Sequence, residues 1–312
     1  MRWVTYRSTD GTERAGLVID GRIHGLAPGT SVIDLLGDDG QRMAEAASRA
    51  TDDPGEVIDL AGANLSAPVQ PPQLRDFLTF LDHLRNVQAA AQIALDPAWE
   101  EIPAFYFANV AAVIGPYDDV PISPGSEWFD YELEVAAIIG KEGSDLHPEE
   151  ADDHIVGFTI FNDWSARDLQ RYEMKLSLGP SKGKDSANTL GPMLVTKDEL
   201  EPYRSENSYH LEMKGFVNDE LMSHGWMDQM DWSWGEIVSY ASRGTRVLPG
   251  DAICSGTVPT GCLFEHFAAK GPDDFGGWLK PGDVVRLEVQ ELGATRQEVL
   301  PAPPVHRLRT GF

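Results

Sequence analysis

FDYELEVAAIIG, residues 129–140, joins two unlike halves. Val135 to Ile139 is an unbroken apolar run that reads as a β-strand packed on both faces. Directly before it stand Asp130, Glu132 and Glu134, spaced by two. Side chains two apart on a strand share a face, so the pattern puts three like charges on one side of a strand that enters the core. Like charges on one face destabilise a strand without a countercharge, and no Lys or Arg lies in the run to provide one. The acids are either a solvent-facing strand end or carboxylates gathered round a divalent cation.

Outward from this stretch the chain is mostly strands and turns. Residues 134–140, 155–162, 192–196, 209–217, 251–256 and 283–290 read as strands. VLPGD and LKPGD each put Pro-Gly ahead of a strand, a turn pattern used twice. Ser233 and Glu236 in SWGE form a capping box ahead of a helix. Residues 75–95, RDFLTFLDHLRNVQAAAQIAL, repeat Phe77, Phe80, Leu81 and Leu84 at helical spacing, with Asp76 placed as N-cap. Before them, PVQPP at 68–72 favours an extended linker. It divides a small β-rich domain, residues 1–70, from a larger one, residues 71–312. The small domain has strand-like WVTYR, GLVID and RIHGL, Asp-Gly turns, and a helix-like stretch from Ser31 to Ala50 interrupted by GDDG. Fold class is therefore mainly β or α+β. The strand–helix alternation of a doubly wound sheet is absent, and GPSKGKDSA lacks the spacing of a phosphate-binding loop.

The 312-residue chain carries a formal net charge of −25. A surface of that sign repels a phosphate backbone or an anionic membrane, so neither nucleic acid nor membrane is expected as partner. An anionic substrate would need local cations or a metal. No stretch approaches the ~18 apolar residues of a spanning helix, and the opening MRWVTYRSTDG lacks the apolar run of a signal peptide. Cys254 and Cys262 are the two cysteines. Without a wider cysteine framework they read as small core residues in a reducing cytoplasm.

The apolar strand Phe158–Phe161 ends in Asn-Asp-Trp-Ser and runs into helix-like ARDLQRYE. Asp163 at that junction is either a helix cap or a third carboxylate meeting Glu132 and Glu134. Three hard oxygen donors at the ends of two core strands suit Mg²⁺, Ca²⁺ or Mn²⁺. No His-x-x-x-His or Cys pair offers a zinc site.

FDYELEVAAIIG, FNDWSARDLQRYE, LGPSKGKDSANTLGP and CSGTVPTGCLFE resemble the signature blocks of the fumarylacetoacetate hydrolase family, in the family's order, over about residues 75–290. The resemblance implies a mixed β-sandwich roll behind the small N-terminal domain. It implies one divalent cation, Mg²⁺ first with Ca²⁺ or Mn²⁺ as alternatives, held by Asp76, Glu132, Glu134 and Asp163. It implies His83 as catalytic base, with Asn86 completing an H-x-x-N pattern. On one helix, the seven residues from Asp76 to His83 would put both on a shared face. By the same resemblance Glu265 partners His83, Lys184 stabilises an oxyanion, and Arg167, Gln170 and Thr257 lie on the substrate side. Residue type alone leaves other roles open: an N-cap for Asp76, a solvated helix position for His83, an exposed loop acid for Glu265, a solvated Lys184. Met174 stands where the family often has an aromatic residue.

The activity so implied is metal-dependent hydrolysis of a carbon–carbon bond in a β-diketone or acylpyruvate-type, fumarylacetoacetate-like substrate, with His83 activating water. The alternative is decarboxylation, isomerisation or tautomerisation of an oxo-acid, as in a 2-hydroxyhepta-2,4-diene-1,7-dioate isomerase; a ligand-binding homologue without turnover is a third possibility. The resemblance also implies a homodimer. Loops at 100–128, 171–181 and 218–231 would set the substrate's side groups. WMDQMDWSW, residues 226–234, is either a pocket wall or core and dimer contact.

Overall fold

The computed structural model describes residues 1–89 and 94–311. The apolar half of the opening stretch forms the strand Leu133–Ile139, buried at every residue. It sits inside the larger sheet, between Ile155–Asp163 and Ala252–Cys254. Its alternate side chains feed two cores, Val135, Ala137 and Ile139 on one face and Ala136 and Ile138 on the other. That double burial is why the run is continuously apolar rather than alternating.

From Ile155–Asp163 the sheet continues antiparallel through Asn188–Thr196 to Arg2–Arg7, Glu13–Ile19, Arg22–Gly25 and Glu56–Asp59. The N-terminal strands therefore extend the central sheet, with Trp3 opposite Leu194. On the other side Ala252–Cys254 pairs in parallel with Leu74–Phe77, which pairs with Phe105–Phe107. A second sheet runs Glu220–Trp226, Glu212–Val217, Val284–Val289, Gly293–Leu300 and Val120–Pro121. Met213, Leu287 and Val299 from it share a core with Phe158 and Ile160 of the first. The molecule is thus a β-rich sandwich with short helices at its margins.

The helix Trp234–Ser242 opens with the expected capping box: Ser233 Oγ accepts from the Glu236 N–H, and the Ser233 N–H donates to Glu236 Oε2 at 2.8 Å. Within 226–234, Met227, Met230 and Trp234 are core residues, and the Trp234 ring packs 5.0 Å from Phe158. The two Pro-Gly-Asp turns are alike, since Asp251 and Asp283 each accept from the N–H three residues back, at Leu248 and Lys280.

The largest departure from the sequence-based expectation lies at residues 75–80. Leu74–Phe77 is a fully buried strand rather than helix, and the helix spans Leu81–Ala89. Pairing to strands on both sides outweighs a local apolar period too short to discriminate. Asp76 therefore caps nothing and shares no helix face with His83. It comes from a strand, and His83 from the first turn of the helix that follows. Ala94 to Asp96 are not helical, and residues 90–93 of the expected helix lie outside the described residues. Glu220–Trp226 and Gly293–Leu300 complete hairpins beyond the expected strands. The first turns through Asn218 and Asp219 at φ 51° and 65°, the left-handed pair a tight hairpin needs. Among the described residues no helix is long and apolar enough to cross a membrane.

Candidate active site

The three acids of the opening stretch do not stay on one face. Phe129–Asp130 pairs with Ser165–Ala166 in a separate two-stranded ribbon, so the chain bends between Asp130 and Leu133. Asp130 turns to the Arg167 guanidinium at 2.8 Å and to the N–H groups of Leu263 and Phe264 at 2.8 and 3.0 Å. It thereby anchors the N-terminus of the helix Leu263–Lys270. Glu132 shares the Arg167 guanidinium with Asp130, and together with Glu134 it meets Asp76 and Asp163.

Asp163 ends the strand beside Leu133–Ile139, and Asn162 Oδ1 accepts the Glu132 N–H at 3.0 Å, which sets the register there. Asp76 arrives from Leu74–Phe77, one strand beyond Ala252–Cys254. All four carboxylates are buried, with one ligand oxygen from each within 4.8 Å of the others. Gly256 N–H and Thr257 Oγ1 donate to Glu134 at 3.0 and 3.2 Å. Gly256 has φ +79°, and a Cβ there would meet Phe77 O at 2.3 Å. Only glycine lets the Ser255-Gly256-Thr257 turn pass under the strand that carries Asp76. Tyr106 OH donates to Asp163 Oδ2 at 2.6 Å. Nothing in its apolar sequence surroundings marks Tyr106 as a site residue.

Two buried cations face this cluster. Arg167 Nη2 lies 2.7 Å from Glu132 Oε1, and Lys184 Nζ hydrogen-bonds both Glu132 and Asp163. Burial would push the Glu132 carboxyl up, but Arg167 and Lys184 outweigh it and hold the group below the usual carboxylate range. Burial together with the Asp163 charge pushes Asp76 well up, and burial together with the Asp76 charge does the same to Glu134. Burial raises Asp163 to about 6, against the pull of Lys184. Asp76 Oδ1 and Asp163 Oδ1 are buried without any hydrogen-bond partner. Orphaned, acceptor-only oxygens in a pocket short of positive charge fit a hard divalent cation. Lys184 covers Glu132 Oε2 and Asp163 Oδ2, Arg167 covers Glu132 Oε1, and Asp76 Oδ1 and Asp163 Oδ1 stay without partners.

Next to the acids stands the His83 ring, a neighbour of Glu132. Its Nδ1 lies 2.7 Å from Glu265 Oε1, and Asn86 Nδ2 donates to Glu265 Oε2 at 2.7 Å. Both residues are buried. A carboxylate only accepts, so Nδ1 carries a proton, and in the neutral ring that tautomer leaves the Nε2 lone pair free. Asp231 accepts the Leu81 N–H at 2.8 Å and fixes the start of the helix that bears His83.

The remaining expected residues gather at the same place. Arg167 Nη1 donates to Gln170 Oε1 at 3.2 Å. Lys184 points inward from the short turn Lys182–Lys184, while Lys182 is exposed and pairs with Asp185. A Cβ at Gly183 would meet Gln170 Cα at 2.6 Å, so this turn lies directly on the Gln170 helix. Thr257 sits on Glu134 as described. Met174, the residue after the helix Arg167–Glu173, is half exposed.

Four buried carboxylates converging beside an imidazole–carboxylate pair, on a β-sandwich roll, define an enzyme fold whose site suits an oxygen-bound cation. The chain belongs to the fumarylacetoacetate hydrolase family: the family model described as fumarylacetoacetate (FAA) hydrolase C-terminal matches residues 74–300. The mitochondrial oxaloacetate tautomerase fahd2 of Xenopus laevis is 29% identical over 96% of this chain and 90% of its own length. The mitochondrial oxaloacetate tautomerase FAHD2B of Bos taurus is 35% identical over 64% of this chain, and the match spans 59% of that relative. Among solved structures, a fumarylacetoacetate hydrolase from Exiguobacterium antarcticum superposes with a TM-score of 0.73 at 25% identity, covering 96% of this chain and 99% of that one.

Proposed function

We propose that the protein is a Mg²⁺-dependent enzyme that interconverts the keto and enol forms of a short, oxaloacetate-like 2-oxo-dicarboxylic acid. The observation that carries it is the His83–Glu265 pair at 2.7 Å beside four convergent carboxylates. The sequence favours hydrolysis of a carbon–carbon bond; the tautomerase relatives, one of them matched along nearly the whole chain, support the oxo-acid alternative better.

In this proposal Asp76, Glu132, Glu134 and Asp163 hold the cation, Mg²⁺ before Mn²⁺ or Ca²⁺. When bound, it supplies positive charge for the developing enolate oxygen of the substrate. His83 Nε2 takes the proton from the carbon next to the keto group and delivers a proton to the oxygen, so that C–H becomes O–H with no net change. Glu265 holds the tautomer that leaves Nε2 free and supports the imidazolium formed in passing. Arg167, held by Asp130 and Glu132, lies with Gln170 on the substrate side and offers its positive charge to a substrate carboxylate. Lys184 adds a second cation for anionic oxygens, and Thr257 steadies Glu134. A homodimer is part of the same proposal, and light scattering in solution tests it.

Hydrolysis of an acylpyruvate stays as the second reading because of Asn86. Its bond to Glu265 extends the His83 relay by one member, and a base so oriented can take a proton from water as well as from carbon. The decisive assay offers oxaloacetate enol and an acylpyruvate to the protein with Mg²⁺, following enol absorbance and acid release. Faster ketonisation of oxaloacetate, with no acid released from the acylpyruvate, is the expected result. Acid release as the dominant activity would replace the first reading with the second, and no activity on either would remove both.

A further inference from the structure

Besides the four carboxylates, one other set of metal-ligand side chains comes together among the described residues: His83, Cys262 and Glu265, all buried, with ligand atoms within 4.8 Å of one another. It differs in kind. The first set is all oxygen, whereas this one offers nitrogen, sulfur and oxygen. We propose that this trio is a second cation site, selective for a soft divalent ion of the zinc type, and that an ion there withdraws His83 from proton transfer.

The local structure is suited to it. Cys262 is the N-cap of the helix Leu263–Lys270 and Glu265 lies in its first turn, three residues on, a spacing that puts both on one side. His83 faces them from the helix Leu81–Ala89. Cys262 is a free thiol with no exposed surface, and nothing in the proposed reaction uses it. A tetrahedral zinc ion binds nitrogen and oxygen at about 2.0–2.2 Å and sulfur at about 2.3 Å, which sets the donors roughly 3.5 Å apart. The trio's ligand atoms lie within 4.8 Å of one another and would adjust to that spacing, with the His83–Glu265 contact at 2.7 Å opening by about 1 Å. Asn86 would still hold Glu265 through its other oxygen, the kind of outer contact that orients a ligand. On binding, the thiol gives up its proton to solvent and the ring proton of His83 moves from Nδ1 to Nε2, so that Nδ1 is free to ligate. Three protein donors leave the fourth position to water. Ligand softness separates the two sites: the oxygen cluster takes the hard ion, the mixed trio the soft one. No sequence spacing announces this site, because His83 lies far from Cys262 along the chain.

Binding stands on the trio alone, whereas the loss of turnover rests on the proposed role of His83, and the test separates them. Cd²⁺ alone serves as the probe, titrated into the full chain with Mg²⁺ in large excess, since a cadmium–thiolate bond has its own ultraviolet charge-transfer band. The proposal expects one equivalent with that band in the parent protein and in Cys254→Ser. It expects loss of the band and at least tenfold weaker binding in Cys262→Ser, with Cys262→Ala as the second variant should the serine form fail to fold by circular dichroism. In parallel, the zinc concentration that halves turnover, read against each variant's own zinc-free rate, should rise at least tenfold in Cys262→Ser. No band in the parent protein, a band that follows Cys254, or unchanged affinity in both Cys262 variants overturns the site. A Cys262-dependent band with turnover intact keeps the site and overturns the inhibition, and with it the role of His83.

Discussion

Replacing Glu265 by Gln keeps the shape of the histidine's partner and removes its charge. Glu265 accepts two hydrogen bonds, from His83 Nδ1 and Asn86 Nδ2, each 2.7 Å long. A Gln has one oxygen to offer, so two arrangements compete. If Asn86 keeps its orientation, the Gln oxygen goes to Asn86 and the Gln amide turns to His83. Nδ1 must then accept, the proton moves to Nε2, and the base is lost. In the equivalent exchange within the Ser-His-Asp template, such a wrong tautomer costs about 10⁴ in turnover. If the Asn86 amide flips, its oxygen accepts from Gln and the tautomer survives, but a charged hydrogen bond has become a neutral one. Charged bonds contribute about 1.5–3 kcal/mol and neutral ones about 0.5–1.5. The difference of about 1–1.5 kcal/mol is about five- to tenfold in rate. Glu265→Gln should therefore lower kcat at least about fivefold and up to about 10⁴-fold. KM should change little, because Glu265 is engaged by His83 and Asn86 rather than by substrate. Stopped-flow decay of enol absorbance at saturating Mg²⁺ measures it, with circular dichroism to confirm the fold. A loss of less than about threefold in a folded variant would refute the relay, since even the milder arrangement predicts more.

Other outcomes follow from the same site. Lys184→Met removes a buried cation from Glu132 and Asp163, and breaking such a pair leaves uncompensated charge at a cost of about 3–5 kcal/mol. Urea unfolding with a chelator should show that loss, and excess Mg²⁺ should shrink it; equal losses in both conditions would contradict a cation in the cluster. In the metal-free protein, Asp76, Glu134 and Asp163 have carboxyls raised by burial, Asp163 to about 6. The folded chain then holds protons that the unfolded chain has released above about pH 4, so this stability is present at low pH and fades as pH rises through the folded values. The urea midpoint should fall between about pH 5 and pH 7.5, and Mg²⁺ should reverse the fall; a midpoint that rises over that range in chelator would refute the assignment. Gly256→Ala puts a methyl 2.3 Å from Phe77 O at a φ of +79°, which should displace the strand bearing Asp76, destabilise the fold by about 2 kcal/mol or more, and weaken metal affinity in calorimetry.

Much of the central sheet was legible because its pattern is local. Val135 to Ile139 reads as a strand covered on both sides, and the two cores fed by its alternate residues explain why. The capping box of Ser233 and Glu236 and the Pro-Gly-Asp turns are likewise written in adjacent residues. Leu74–Phe77 was not legible, because its strand character comes from partners far along the chain, Ala252–Cys254 and Phe105–Phe107. The same limit applied to the acids. Their spacing announced an electrostatic problem, but not that Asp130 and Glu132 would share Arg167 while Glu132 and Glu134 meet Asp76 and Asp163. The countercharges, missing from the run itself, come from Arg167 and Lys184. The site residues carried by the motif resemblance converge in space, whereas Tyr106, with no motif of its own, needed three-dimensional placement to be seen.

The central claim is that Asp76, Glu132, Glu134 and Asp163 together hold one divalent cation. Calorimetric titration of the chelator-treated protein with Mn²⁺, repeated on Glu134→Gln, tests it most directly. One ion per chain in the parent protein, with affinity at least tenfold weaker in the variant, is the predicted result. No binding in the parent, or the same affinity in both, would contradict it.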